Sequence, residues 1–263
     1  MITIGSVGSL WRYPVKSMSG EEMTEAFMGF PGFYGDRCYA FKNSAARKGA
    51  PYLTASTQEQ MLRYRPQFRY PERAITPPNL IEAMSIAPGI NPANGDREDM
   101  ILDVLTPSGA VVAVDDPALI EMLGDGLRGE NHLTLVNSDR ALTDCRPVSL
   151  ISVQTVRQVE EELGIPIDKR RFRANVYINL ASNDGFAEDE LVGRKVRIGL
   201  NAEIAILERD PRCKIISLDP DTGEHNPKVF RKVVKAHANF AGVYCAVLVE
   251  GVLTKGDSIH LLD

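Results

Sequence analysis

The chain has 263 residues, an apolar fraction of 44%, a charged fraction of 25% and a formal net charge of −5. That is an ordinary globular composition, long enough for one large domain or two small ones. The acidic balance argues against general binding to a nucleic-acid backbone, and four cysteines over this length are too sparse for a secreted disulfide scaffold.

The N-terminal stretch has no positive segment followed by an apolar core, so no signal peptide is expected. No apolar run reaches the roughly 18 residues of a spanning helix, and a reducing cytoplasm is the expected location.

In chain order, ITIGSVGSLWRYPV reads as a strand ending near Pro14, and EEMTEAFMGFPGFYGDRCYAFKN as short strands around the Pro31-Gly32 turn. TQEQMLRYRPQF, from Thr57, suggests one or two helical turns before Pro66, and residues 73–99, rich in Pro, Asn and Gly, suggest an irregular loop. DMILDVLTPSGAVVAVDD predicts a hairpin about Pro107-Ser108-Gly109, and PALIEMLGDGL a short helix closed by Gly124. In the second half, Ser152 stands as the N-cap of VQTVRQVEEELG. Val156, Val159 and Leu163 form the apolar face of that helix, and Gly164 is its stop. ANVYINL, KVRIG and AEIAILE predict strands, VFRKVVKAHA a helix, and AGVYCAVLVEG and SIHLLD the closing strands. The pattern is mostly β with some α and no βαβ alternation, which favours a barrel-like α+β architecture.

Three segments carry candidate chemistry. In YPVKSMSG, Lys16 and Ser17 follow a proline-fixed strand end, where a cation, a hydroxyl and backbone N–H groups could meet a phosphate; a solvated lysine accounts for the same residues. In DKRRFRANVYIN, Lys169, Arg170, Arg171 and Arg173 crowd into an otherwise acidic chain. Arg173 and Asn175 would share one face of the following strand, suited to an anion or a heterocycle edge, or form a charged strand edge. In LERDPRCKIISLDPDTGE, the lone Cys213 follows Arg209 and Arg212; neighbouring cations favour the thiolate, and a small buried apolar role is the alternative. Arg37 heads the strand in GDRCYAF. Phosphate-loop, nucleophile-elbow and HExxH motifs are absent, and a Cys213–His225 pair is a further possibility.

Taken together, LWRYPVKSMSG, GDRCYAF, FRANVYIN, FAEDELVGRKVRIG, ERDPRCKIISLDPDTGE and AGVYCAVLVEGVLTKGDSIHLL resemble, in order, the MOSC family. That family is named for the C-terminal domain of molybdenum cofactor sulfurase. The chain is most similar to members with an N-terminal β-barrel partner domain, including the amidoxime-reducing component group. The resemblance implies an N-terminal domain over 1–125 packed on a MOSC β-barrel over 126–263. It implies Cys213 as the catalytic thiolate ligating molybdenum of a pterin cofactor, with Lys16, Ser17, Arg37, Ser152, Arg173 and Asn175 contacting that cofactor. Asp219 and Thr222 fall in the family's turn, shaping it or touching the cofactor.

The implied activity is reduction of small N-hydroxylated or N-oxygenated molecules, with electrons from a separate ferredoxin- or flavin-type protein. The alternatives are a sulfur carrier holding a persulfide on Cys213 and a non-catalytic cofactor-binding module; pyridoxal phosphate binding is a family-level possibility. Two departures stand out. LTASTQEQM lacks an arginine that many relatives carry there, and Asp210 stands where some have a second cysteine.

Overall fold

The N-terminal strand, β1 (Ile2–Arg12), has an inward-facing apolar pair, Val7 and Leu10, and two glycines where a neighbouring strand comes very close. A Cβ on Gly5 would lie 2.2 Å from the Asn179 carbonyl oxygen, so glycine is what allows this approach. The computed structural model describes residues 2–86 and 98–262. After β1 come β2 (Glu21–Met23), β3 (Glu25–Gly29), β4 (Gly32–Phe33), β5 (Tyr39–Asn43) and β6 (Arg65–Phe68). Helix α1 (Leu80–Ile86), the hairpin β7 (Leu102–Leu105) and β8 (Val111–Ala113), and α2 (Pro117–Gly124) complete the first half. The second half contains β9 (Leu133–Asn137), β10 (Val148–Ser152), α3 (Val153–Leu163), β11 (Val176–Leu180), β12 (Lys195–Ile198) and β13 (Ala202–Pro211). It closes with α4 (Pro227–Ala236), β14 (Phe240–Val249), β15 (Gly251–Thr254) and β16 (Ser258–Leu261).

Seven strands close into a barrel in the order β11-β10-β14-β13-β12-β16-β1, with β1 pairing back onto β11 and β2 appended to β1. The expected mostly-β architecture with some helix is present. Val7, Leu10, Leu150, Val176, Ile178, Ile204 and Val243 fill the barrel interior from alternate strand positions. A second core, on the outer surface of the barrel, joins Tyr13, Val159, Phe172, Tyr177, Ile216 and Val233 beneath α3 and α4. A third, in the first half, contains Val15, Phe41, Leu53, Met61, Leu102 and Leu119, and also Leu218 from the second half. Strand pairing crosses residue 125 where β1 meets β11 and β16, where β3 meets β15 and where β5 meets β9.

Most expected elements are present, with instructive differences. The hairpin, α2, α3 and α4 form as the sequence predicts, each helix with a side-chain N-cap: Asp116, Ser152 and Asn226. The turns after Thr57 are a 3-10 helix over Glu59–Arg63. The segment expected as a loop over 73–99 instead contains α1; its residues 87–97 lie outside the described residues. Strand β10 was not predicted, because VSLIS runs straight into a helix cap and its apolar run is short. It pairs in parallel with β11 across α3, so one β-α-β unit is present after all. Among the described residues, no helix is long and apolar enough to cross a membrane.

Candidate functional site

The segment after β13 is fixed from two sides. Ile216 packs into the core beneath the helices and Leu218 into the core of the first half, so Cys213 is held where the two meet. Cys213 stands as N-cap of a 3-10 helix over Lys214–Ser217, makes no side-chain capping bond, and is exposed. Arg212, one residue earlier, is buried. Its Nε donates to Ala241 O (2.6 Å), one Nη to Phe172 O (2.9 Å), and the other pairs with Asp210 at 2.8 Å. Gly242 makes this possible: its φ is +80°, and a Cβ there would lie 3.1 Å from Arg212 Nη2 and 2.7 Å from Leu150 O. The cation beside the thiol therefore serves to pin its backbone.

Cys213 lines a cleft of about 190 Å³ together with Lys16, Ser17, Arg37, Arg173 and Asn175. Residues from four distant segments thus converge. Lys16 follows β1, where Val15 bridges to Tyr39; its Nζ donates to Leu142 O (2.8 Å) and to Asp144 Oδ1 (2.7 Å). Asp144 is 78% exposed, so the counterion comes from the solvent side. Burial pushes the Lys16 amine down, and Asp144 only partly opposes that. Ser17 is buried, with a left-handed φ of 67°.

Arg37 and Arg173 also have left-handed backbones, and both guanidinium groups lie over the Tyr13 ring, at 4.7 and 4.3 Å from its centre. Their electrostatic settings differ. Burial works against the Arg37 charge, but Asp36 at 2.5 Å outweighs it and the Arg37 pKa is raised. Arg173 has no such carboxylate. Burial, with Arg37 as a like charge, depresses it to about 10, and its Nη2 is buried without a hydrogen-bond partner. A buried guanidinium nitrogen left unpaired is costly, and an anion in the cleft would remove that cost.

Two expectations need correction. Arg173 does not share a strand face with Asn175: it is the left-handed C-cap of a 3-10 helix over Lys169–Phe172, and β11 starts only at Val176. Asn175 does line the cleft, but its amide already ties three segments. Oδ1 accepts from Ser149 N and Oγ (both 3.2 Å) and Nδ2 donates to Trp11 O (3.3 Å). Ser152, expected at the cofactor, is not among the cleft residues. It is fully buried; its Oγ accepts from Thr155 N (3.0 Å), and its own N–H donates to Glu188 Oε1 (3.2 Å). Capping, the signal that located the helix, is what occupies this serine. Ser152→Ala should therefore lower stability by about 1 kcal/mol in chemical denaturation while leaving ligand binding in the cleft unchanged.

Asp219 and Thr222 also lie outside the cleft. Asp219 accepts from Thr222 N (3.0 Å), Thr222 Oγ1 (3.2 Å) and Arg171 (3.0 Å), so the two residues shape the turn. His225 bridges Leu218 and is not among the cleft residues. Arg209 lies over Phe240 rather than in the cleft.

Sequence reasoning missed several cleft residues. Tyr244, on β14, hydrogen-bonds buried Asp210, and both line the cleft. Asp210 was noted only as a departure, and nothing in AGVYC singles out Tyr244. Thr54 and Ser56 come from LTASTQEQM, so that loop does reach the cleft without its arginine. Close by, Lys214 pairs with Glu59 at 2.6 Å and reaches Ser56 O at 3.4 Å.

The family model of the MOSC domain matches residues 137–260. Among solved structures, the chain is similar to the YUAD protein from Bacillus subtilis, at 15% identity over 98% of this chain and 94% of that one, with a TM-score of 0.48. It is also similar to YiiM from Geobacillus stearothermophilus, at 20% identity over 45% of this chain and 55% of that one, with a TM-score of 0.35. No curated protein matches the sequence.

Proposed function

With a MOSC domain over residues 137–260 as premise, we propose that the protein binds a molybdenum-pterin cofactor in the Cys213 cleft and acts there as an oxidoreductase. The observation that carries this reading is the unpartnered, buried Nη2 of Arg173 in the same cleft as an exposed thiol.

The donor set suits such a group. Among the described residues no cluster of three or more His, Cys, Asp or Glu could hold a metal ion. A pterin dithiolene would bring sulfur ligands of its own, to which Cys213 would add a soft thiolate. Lys16, Ser17, Arg37 and Arg173 would hold its anionic end, with Asn175 fixing the wall behind them. When bound, the cofactor supplies two-electron oxygen-atom transfer. The protein's part is to orient it and to offset its negative charge, chiefly with Lys16 and Arg173, whose charges burial disfavours. N-hydroxylated or N-oxygenated small molecules are the proposed substrates, and a separate ferredoxin- or flavin-type protein the electron source.

The test is molybdenum and pterin analysis of protein purified from a host that makes the cofactor. Wild type should contain both, and Arg173→Met should contain several-fold less. Wild type devoid of molybdenum and pterin would refute the reading.

A further inference from the structure

Five cations line the Cys213 cleft: Lys16, Arg37, Arg146, Arg173 and Arg212. Four have a carboxylate partner at 2.5 to 2.8 Å: Asp144 on Lys16, Asp36 on Arg37, Glu208 on Arg146 and Asp210 on Arg212. The four pairs differ in how firmly the carboxylate is held. Asp36 and Asp210 are buried with their arginines. Arg146 and Glu208 are both nearly half exposed and make a rim contact. Of the four pairs, only Lys16–Asp144 joins a buried cation to an exposed carboxylate, at 6% against 78% side-chain exposure.

That asymmetry decides which partner can leave. The Lys16 amine is held by Leu142 O at 2.8 Å as well as by Asp144 Oδ1 at 2.7 Å. Asp144 lies in an irregular segment between β9 and β10, and its carboxylate is already mostly hydrated. Rotating that side chain outward therefore costs little. The ammonium left behind is buried, and a buried charge without a counterion is costly until another anion replaces it. Seated on Lys16, the Asp144 carboxylate faces the cleft interior. Burial is the chief influence on Arg37, Asp210 and Tyr244, and the Asp144 charge acts on all three. After burial and Asp144, Lys16 in turn feels Arg37 and Arg173 as like charges, so one anion is drawn to both Lys16 and Arg173.

We propose that Asp144 is the resident counterion of this cleft, displaced from Lys16 when a phosphate monoester binds. With Asp144 seated, Arg173 is the one cleft cation without a carboxylate partner among the described residues. With Asp144 swung out, Lys16 joins it, and the two cations match the double charge of a phosphate monoester. The exchange rests on the proposed role of Lys16 and Arg173 at the cofactor's anionic end, and it names what that end must displace.

The experiment is calorimetric titration of the full chain, produced in a host that does not make the pterin cofactor. At about pH 8 the two probes are methyl phosphate, a dianion, and dimethyl phosphate, a monoanion. Asp144→Asn should bind methyl phosphate about tenfold tighter than wild type, the scale of one charged contact. Dimethyl phosphate should gain no more than about threefold, because a single charge gains half as much free energy. In a Lys16→Met background, Asp144→Asn should change methyl phosphate affinity by less than about threefold. The proposal is overturned by unchanged or weaker methyl phosphate binding in Asp144→Asn, or by no saturation in either protein. An equal gain for dimethyl phosphate, or the full gain persisting with Lys16→Met, overturns it as well. If Lys16→Met fails to fold, the comparison of the two esters decides. These titrations need no cofactor, so a purified protein devoid of molybdenum and pterin would refute the oxidoreductase reading without touching their outcome.

Discussion

Replacing Cys213 with alanine should bring molybdenum content to background and lower reduction of N-hydroxylated compounds by at least about a hundredfold, with the melting temperature essentially unchanged. The two halves of this expectation have separate causes. The thiol is exposed and makes no capping bond, so its removal leaves no buried cavity or unpaired group, and surface changes of that kind usually stay within about 0.5 kcal/mol. The proposed metal, in contrast, would be ligated by this sulfur. Cys145→Ala is the matched control: Cys145 is also exposed, but it sits against Glu208 at 3.5 Å and is not among the cleft residues. Metal analysis and intact mass on the two variants separate the readings. Equal molybdenum in Cys213→Ala and wild type would end the ligand assignment. A reductant-sensitive gain of one sulfur atom that disappears only in Cys213→Ala would favour the persulfide carrier.

The second large effect concerns folding. The fragment 126–263, which contains the whole MOSC match, should not fold by itself. It lacks β1, the strand that closes the barrel between β11 and β16. Without it, two strand edges carry unpaired N–H and C=O groups, and the interior loses Val7 and Leu10. Each of those side chains contributes on the order of 1.5–3 kcal/mol by burial, against a total stability of roughly 5–15 kcal/mol for a typical domain. Partners of β15 and β9 in the first half are lost as well. We propose that the expected division at residue 125 separates two packing units that depend on each other.

Circular dichroism and amide dispersion of the isolated fragment check this, with co-expressed residues 1–125 expected to restore the fold. A cooperative melt of the fragment alone would disprove it. Within the full chain, Gly5→Val tests the same seam, because its side chain would collide with the Asn179 carbonyl.

The sequence by itself determined what local rules govern. The capped helix at Ser152, the hairpin at Gly109 and the alternation in the barrel strands were legible because caps, turn residues and period-two burial act over a few residues. Arg173, in a cationic cluster, and Cys213, a lone thiol beside cations, drew notice from the residues themselves, whereas Lys16 and Arg37 read equally as surface cations until the family resemblance singled them out.

Tertiary structure alone decided which of these meet. Nothing along the chain places Asp144 on Lys16 or Tyr244 on Asp210: the first pair forms only when the segment after β1 meets the loop after β9, and the second only when β13 pairs with β14. It also divided similar residues by function. Arg173 has a buried nitrogen with no hydrogen-bond partner and no carboxylate in ion-pair range, whereas Arg212, beside the thiol, gives two of its nitrogens to backbone carbonyls and pairs with Asp210. The difference lies in long-range burial and partner supply, which local sequence does not encode.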